Sequence, residues 1–168
     1  MEIREIRTSD TQAFLNLRQL LDRETHFMML EPGERKTNLA EQQQEIEQIL
    51  ATPNQTILVA EVEGGVVGYI RAMGGAYNRN RHCASVVVGV LQVFTGLGLG
   101  KRLFIHLDEW AQTHGIQRLE LTVMVDNHAA SAVYHRMGFE IEGFRRQALL
   151  VDGRYVDEYY MAKILDSK

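Results

Sequence analysis

The sequence holds one cysteine, Cys83, among 168 residues. That excludes an internal disulfide and leaves Cys83 as a strand residue in a reducing cytoplasm. Metal-ligand spacing is absent as well. His26, His82, His106, His114, His128 and His135 are scattered, with no cysteine cluster and no His-x-x-x-His pair, so no metal is expected. No apolar run approaches the roughly 18 residues of a membrane span. The charged start Met1-Glu2-Ile3-Arg4-Glu5 lacks the apolar region of a secretory signal. Nor is there a basic excess: 18 Lys and Arg stand against 22 Asp and Glu, net −4, which argues against nucleic acid as a main partner. Repeats, low-complexity tracts and linkers are missing too. What remains is one domain spanning 1–168, 45% hydrophobic and able to bury a normal core. Its expected place is the cytoplasm, with neither membrane nor nucleic acid as a partner.

The stretch around which the rest is organised is 86–103. A run of β-branched residues, Val86-Val87-Val88-Gly89-Val90, leads into Thr95-Gly96-Leu97-Gly98-Leu99-Gly100-Lys101-Arg102. Helical apolar spacing follows at Leu99, Leu103, Leu107, Trp110 and Ala111. Strand, glycine loop and helix in that order aim backbone N–H groups and the positive end of a helix dipole at one spot, which suits phosphate. Glycine there leaves the backbone free to approach an anion and to adopt positive φ, and Lys101 and Arg102 add charge at the rim. A Walker loop fails: Thr95 stands where its first glycine belongs, and Arg102 follows the lysine. The dinucleotide fingerprint is met at Gly96 and Gly98 but not at Lys101. Glu120, roughly 20 residues on, falls where that fold places its ribose-binding acid, so this alternative stays open on the loop alone.

Taken in order, the chain reads as a strand at about 2–7, a helix at about 10–23 with Phe14, Leu15, Leu17 and Leu21 inward, and an irregular stretch 24–36 containing Met28, Met29 and Leu30. Asn38-Leu39-Ala40-Glu41 opens a second helix to about 51, with Leu39, Ile46, Ile49 and Leu50 inward and Glu41, Glu45 and Glu47 on a solvated face. Strands at about 56–62 and 66–73 flank a turn at Glu63-Gly64-Gly65. A loop, 74–81, precedes a central strand at about 82–92, in which Gly89 signals a bulge or a close backbone approach. Then come a helix at 98–114 ended by Gly115, a strand at 119–125, a helix at 128–137 and a hairpin, 139–150 with 154–164, about Asp152-Gly153. The order predicts an α/β fold whose sheet is mixed and largely antiparallel, flanked by helices, with a parallel pair across helix 98–114.

A second block reads Asn127-His-Ala-Ala-Ser-Ala-Val-Tyr134-His-Arg-Met-Gly138-Phe139. Together with the glycine loop, and in the same order and spacing, it resembles the GNAT family of N-acetyltransferases over about residues 60–163. The tail from Gly138 to Met161 is similar to the branch that includes amino-acid, polyamine and protein N-terminal acetyltransferases. Thr95 departs from the family's Gln or Arg at the start of the loop. The resemblance implies a parallel strand pair splayed at an acetyl-CoA site, and acetyl-CoA as co-substrate with no metal. It implies that the backbone of Val88, Gly89 and Val90 pairs with the pantetheine arm. It further implies that Thr95, Gly96, Leu97, Gly98, Leu99, Gly100 and Lys101 hold the pyrophosphate, that Asn127 binds near the pantetheine, and that Tyr134 protonates the leaving thiolate. Residue chemistry alone reads Asn127 as a helix N-cap and Tyr134 as a half-buried aromatic.

The reaction so implied is direct attack of a primary amine on the thioester in a ternary complex. An amine of pKa about 10.4 is nearly all protonated at neutral pH, so a base must take its proton, with Glu61, Glu120 or a water chain as candidates. A backbone N–H near the anticipated bulge at Gly89 or Val90 can meet the oxyanion. The acceptor is expected to be a small-molecule amine, with an amino acid in view, touching Arg71, Tyr77 and the stretch 24–36. The alternatives are a protein N-terminal amine, favoured by a wide groove beside 74–81, and a non-catalytic acyl-CoA-binding module. A homodimer is compatible with all three.

Overall fold

The structure is a computed structural model describing residues 1–166. Its strands are β1 (Glu2–Glu5), β2 (Gln55–Val62), β3 (Gly65–Gly74), β4 (Cys83–Val90), β5 (Arg118–Met124), β6 (Glu140–Val151) and β7 (Arg154–Ile164). Its helices are α1 (Thr11–Glu24), α2 (Leu39–Leu50), α3 (Leu99–Thr113) and α4 (His128–Arg136). The strands form one mixed sheet in the order β1-β2-β3-β4-β5-β7-β6. Every neighbouring pair is antiparallel except β4 and β5, which are parallel across α3.

Period-2 alternation divides the core. Ile57, Val59 and Tyr69 point to one face and pack with Phe14, Leu17 and Leu21 of α1 and Ile46 and Ile49 of α2. Leu58, Ala60, Ile70, Ala84 and Val86 point to the other and pack with Leu99, Leu103, Phe104 and Leu107 of α3. α2 begins with a capping box. Asn38 Oδ1 accepts from Glu41 N–H at 2.9 Å and Glu41 Oε2 from Asn38 N–H at 3.0 Å. Its buried stripe is Gln42, Ile46 and Ile49. Leu39, in the first turn, and Leu50, about 100° around the helix from Ile49, are exposed rather than inward.

Two-residue turns set the hairpin registers. Glu63 and Gly64 both have positive φ (51° and 80°) between the paired Val62 and Gly65. Asp152 and Gly153 (49° and 75°) do the same between Val151 and Arg154. That geometry matches the strands' own twist. The bulge anticipated at Gly89 is absent, because the β3–β4 register runs unbroken from Gly68↔Val90 to Gly74↔Ala84. Close approach is the reason for the glycine instead: a Cβ on Gly89 would lie 2.7 Å from Leu21 Cδ1 and 3.3 Å from Tyr69 Cε1. The central strand also stops at Val90, and Gln92–Phe94 forms a short 3-10 turn into the glycine loop.

Candidate active site

Pairing between β4 and β5 covers only Cys83↔Arg118, Ala84↔Leu119 and Ser85↔Glu120. Beyond that the strands separate, and a cleft of about 1020 Å³ opens between them. Val86–Val90 form one wall and Leu121–Met124 the other. The hydrogen bonds of β4 alternate. Leu91 N–H donates to Val67 C=O at 2.9 Å, and Cys83 C=O accepts from Gly75 N–H at 3.0 Å. Odd-numbered residues therefore spend their backbone groups on β3, and beyond the last β5 rung Val88 and Val90 turn theirs toward the cleft. Gly89, facing β3, cannot supply the oxyanion N–H expected of it; Val88 and Val90 are placed to do so.

The glycine loop closes one end of the cleft. Gly96 and Gly98 both have φ of 76°, in the left-handed region that glycine alone adopts freely. The first α3 bond runs from Arg102 N–H to Gly98 C=O at 3.1 Å. The N–H groups of Leu99, Gly100 and Lys101 precede it and have no acceptor within the helix. An isolated helix favours acidic side chains in its first turn; α3 has none, and carries Lys101 and Arg102. An anion seated on these amides resolves that mismatch. Thr95 Oγ1 donates to Gln92 C=O at 2.7 Å, so its hydroxyl is turned to the loop's own backbone. Leu97 does not border the cleft; its side chain is 64% exposed.

Asn127 caps α4, its Oδ1 accepting from Ala130 N–H at 3.3 Å. It also borders the cleft, so the cap fixes a side chain whose amide N–H groups donate to no described residue. Tyr134, about two helical turns further on and on the same face, is 8% exposed and packs edge-on against Phe104 with centroids 5.6 Å apart. Its hydroxyl makes no hydrogen bond to a described residue, and burial pushes its pKa up to about 12. It therefore stays a neutral donor across the physiological range. Val88, Gly89, Val90, Thr95, Gly96, Gly98, Leu99, Gly100, Lys101, Asn127 and Tyr134 all border the one cleft.

The other end of the cleft lies on the α1–α2 face of the sheet. It is bordered by Arg18 and Leu21 of α1, by Thr25–Leu30, and by Tyr69 and Arg71 of β3. Arg71 and the methionine-bearing stretch are thus at the cleft, whereas Tyr77 is 77% exposed outside it. Neither anticipated base borders the cleft. Glu61 pairs with Arg4 at 2.8 Å and Glu120 with Arg118 at 2.9 Å. Glu24, His26 and Glu158 do border it. A smaller recess of about 420 Å³ beside the β6–β7 turn shares His26 and Met124 with the cleft. Glu45, expected on a solvated face, instead pairs with Arg18 at 2.7 Å and Arg71 at 2.9 Å. No helix of the described residues is long and apolar enough to cross a membrane, and no metal-binding cluster occurs among them.

Sequence and fold comparison place this geometry among known proteins. The family model described as acetyltransferase (GNAT) family matches residues 15–139. The L-amino acid N-acetyltransferase AaaT of Escherichia coli is 35% identical over 122 residues, 70% of this chain and 74% of that one. The N-alpha-acetyltransferase RimI of Mycobacterium tuberculosis is 34% identical over 118 residues, 68% of this chain and 69% of that one. A GNAT acetyltransferase structure from Streptococcus pneumoniae superposes with a TM-score of 0.94 at 27% identity, covering 98% of this chain and 99% of the other. With the glycine loop, the opened strand pair and the capped α4 in one cleft, the chain belongs to the acetyltransferase (GNAT) family and is an acetyl-CoA-dependent N-acetyltransferase.

Proposed function

We propose that this enzyme transfers the acetyl group of acetyl-CoA to the primary amine of a small molecule, an amino acid being the class the reading favours. The observation that carries it is the acceptor end of the cleft. That end is bordered by α1 and Thr25–Leu30, with no residue of 74–81 beside it, which suits a compact acceptor better than a polypeptide. The E. coli relative bears the name of an L-amino acid N-acetyltransferase.

In this reading the pyrophosphate rests on the amides of Leu99, Gly100 and Lys101, and the pantetheine amides pair with the free edge of β4 at Val88 and Val90. The acceptor amine loses a proton to a group on the cleft wall, directly or through water; Glu24, His26 and Glu158 are placed for this. Its lone pair forms the N–C bond, the carbonyl oxygen gathers charge against a β4 backbone N–H, and the C–S bond breaks. The thiol leaves with a pKa of about 8.5. The Tyr134 hydroxyl, which borders the cleft with no partner among the described residues, is the donor that supplies the departing thiolate with its proton.

A second reading, acetylation of a protein N-terminal amine, draws on the RimI relative. Acetyl transfer assayed with free amino acids, simple amines and short peptides separates the two. Turnover of free amino acids with little on peptides is expected. Turnover of peptides alone would replace the first reading by the second.

A further inference from the structure

The acceptor end of the cleft carries a half-buried charge imbalance. Arg18 and Arg71 share a single carboxylate: Glu45 Oε2 pairs with Arg18 Nη1 at 2.7 Å and Glu45 Oε1 with Arg71 Nη1 at 2.9 Å. The side chains of Arg18 and Arg71 are only 15% and 26% exposed. Among the described residues no other carboxylate completes the set. Asp22 is closed on Arg35 by two bonds, 2.7 Å to Nε and 2.9 Å to Nη2. Glu24 is exposed and accepts from Gln92 N–H at 2.9 Å. The Nε atoms of both Arg18 and Arg71 are buried with no hydrogen-bond partner, a costly state for a charged donor. Burial pushes the Glu45 carboxylate up, yet Arg18 and Arg71 outweigh it and hold it below its usual range. Both arginines border the cleft, and so does the neighbouring Tyr69, whose hydroxyl makes no hydrogen bond to a described residue. Arg71 lies opposite Val87 in the β3–β4 register, next to the Val88 backbone that faces the cleft.

We propose that Arg71, with Arg18 behind it and Glu45 as their common brace, recognises a carboxylate on the acceptor, so that the site selects amines carrying a free carboxylate close to the nitrogen. This rests on the reading of a small amine acceptor and narrows it. Guanidinium suits the role because its planar fork matches two carboxylate oxygens. Glu45 holds one Nη of each arginine and leaves the rest of each fork unpaired. The incoming carboxylate supplies the missing countercharge. A peptide offers an amide at the same distance from its amine and cannot.

The test compares three acceptors on the wild-type enzyme: the amino acid turned over best from a panel of all twenty, its carboxamide, and the amine lacking the carboxyl group. The expected kcat/KM for the amino acid exceeds the other two by on the order of 10²-fold, matching loss of one charge-assisted bidentate pair. In Arg71→Gln that preference collapses: the amino acid loses about the same factor, mostly in KM, while the amide, the amine and the KM for acetyl-CoA change little. Arg71→Lys, which keeps the charge without the fork, falls between. Equal turnover of all three acceptors by wild type, or an equal loss on all three in Arg71→Gln, overturns the carboxylate role and leaves the amine reading standing. Wild type that acetylates only peptides overturns both. The wild-type comparison decides the matter even where a variant fails to fold.

Discussion

Tyr134 joins two properties at one residue: a hydroxyl with no partner among the described residues and a ring packed against Phe104 and Phe139. Tyr134→Phe keeps the ring. If the hydroxyl meets the departing thiolate, kcat falls by on the order of 10², with the KM for acetyl-CoA little changed. The loss shrinks toward pH 9.5, where a thiol of pKa about 8.5 leaves without help. Steady-state rates of both proteins from about pH 6.5 to 9.5 check this, and near-equal kcat throughout would leave Tyr134 as packing. Gly98 is constrained differently. Nothing lies within 4 Å of where its Cβ would be, but its φ is 76°, so a β-branched residue is strained there whatever the space. Gly98→Val is expected to weaken coenzyme A binding by withdrawing the α3 amides from the pyrophosphate; unchanged affinity in calorimetry would remove that role. Both residues were legible in the sequence because glycine spacing and the Asn-to-Tyr interval are local patterns. Glu45 was not. Along α2 it falls between Glu41 and Glu47 as one more surface acid, and only the fold brings Arg18 and Arg71 to it. Gly89 was half legible: a glycine inside a strand announces an anomaly, while the choice between bulge and contact depends on where Leu21 arrives.

At the level of elements, the segment between α1 and α2 borders the acceptor end without helix or strand of its own. What ties it down is the Arg35–Asp22 pair, with Asp22 only 2% exposed. Arg35→Ala leaves that carboxylate buried and alone, at a cost of about 3 kcal/mol, measurable by urea denaturation. The acceptor KM rises with it and acetyl-CoA binding does not, because the glycine loop is at the other end. A stability loss far smaller than this would mean the segment is held by its apolar residues, Met28 above all. The element order and the parallel crossover were readable from hydrophobic period and turn residues. The 3-10 turn at Gln92–Phe94 was not, since its apolar Val93 and Phe94 continue the strand's composition.

Over the whole molecule, two sets of charges govern the response to acid. Arg4 donates to Asp10 at 2.8 and 2.9 Å, and those bonds outweigh burial to hold Asp10 below its usual value. Glu45 is also lowered. A carboxylate depressed in the native state stabilises it above the unfolded value, about 4, and loses that contribution as pH falls through the native value. Arg4→Gln should therefore flatten the decline in stability below about pH 4 while lowering stability at pH 7; an unaltered acid limb would place the dependence elsewhere. Coenzyme A binds only the folded chain, so at a hundredfold excess over Kd it should add about 2.7 kcal/mol, or roughly 5–10 °C in Tm. NADH and ATP should add markedly less, and the reverse order would restore the dinucleotide reading of the loop.

The three-rung contact between β4 and β5 bears on solvent exchange. Two strands in mid-sheet usually shield each other's amides, so a central position means slow deuterium uptake. Here Val88 and Val90 stand at the centre of the strand order, yet their N–H groups face an opening. Without ligand they should exchange with deuterium like a sheet edge, while Val87 and Gly89, bonded to β3, stay protected. An odd-even ladder of uptake along a single strand, smoothed when coenzyme A is added, would trace the course of the pantetheine arm amide by amide.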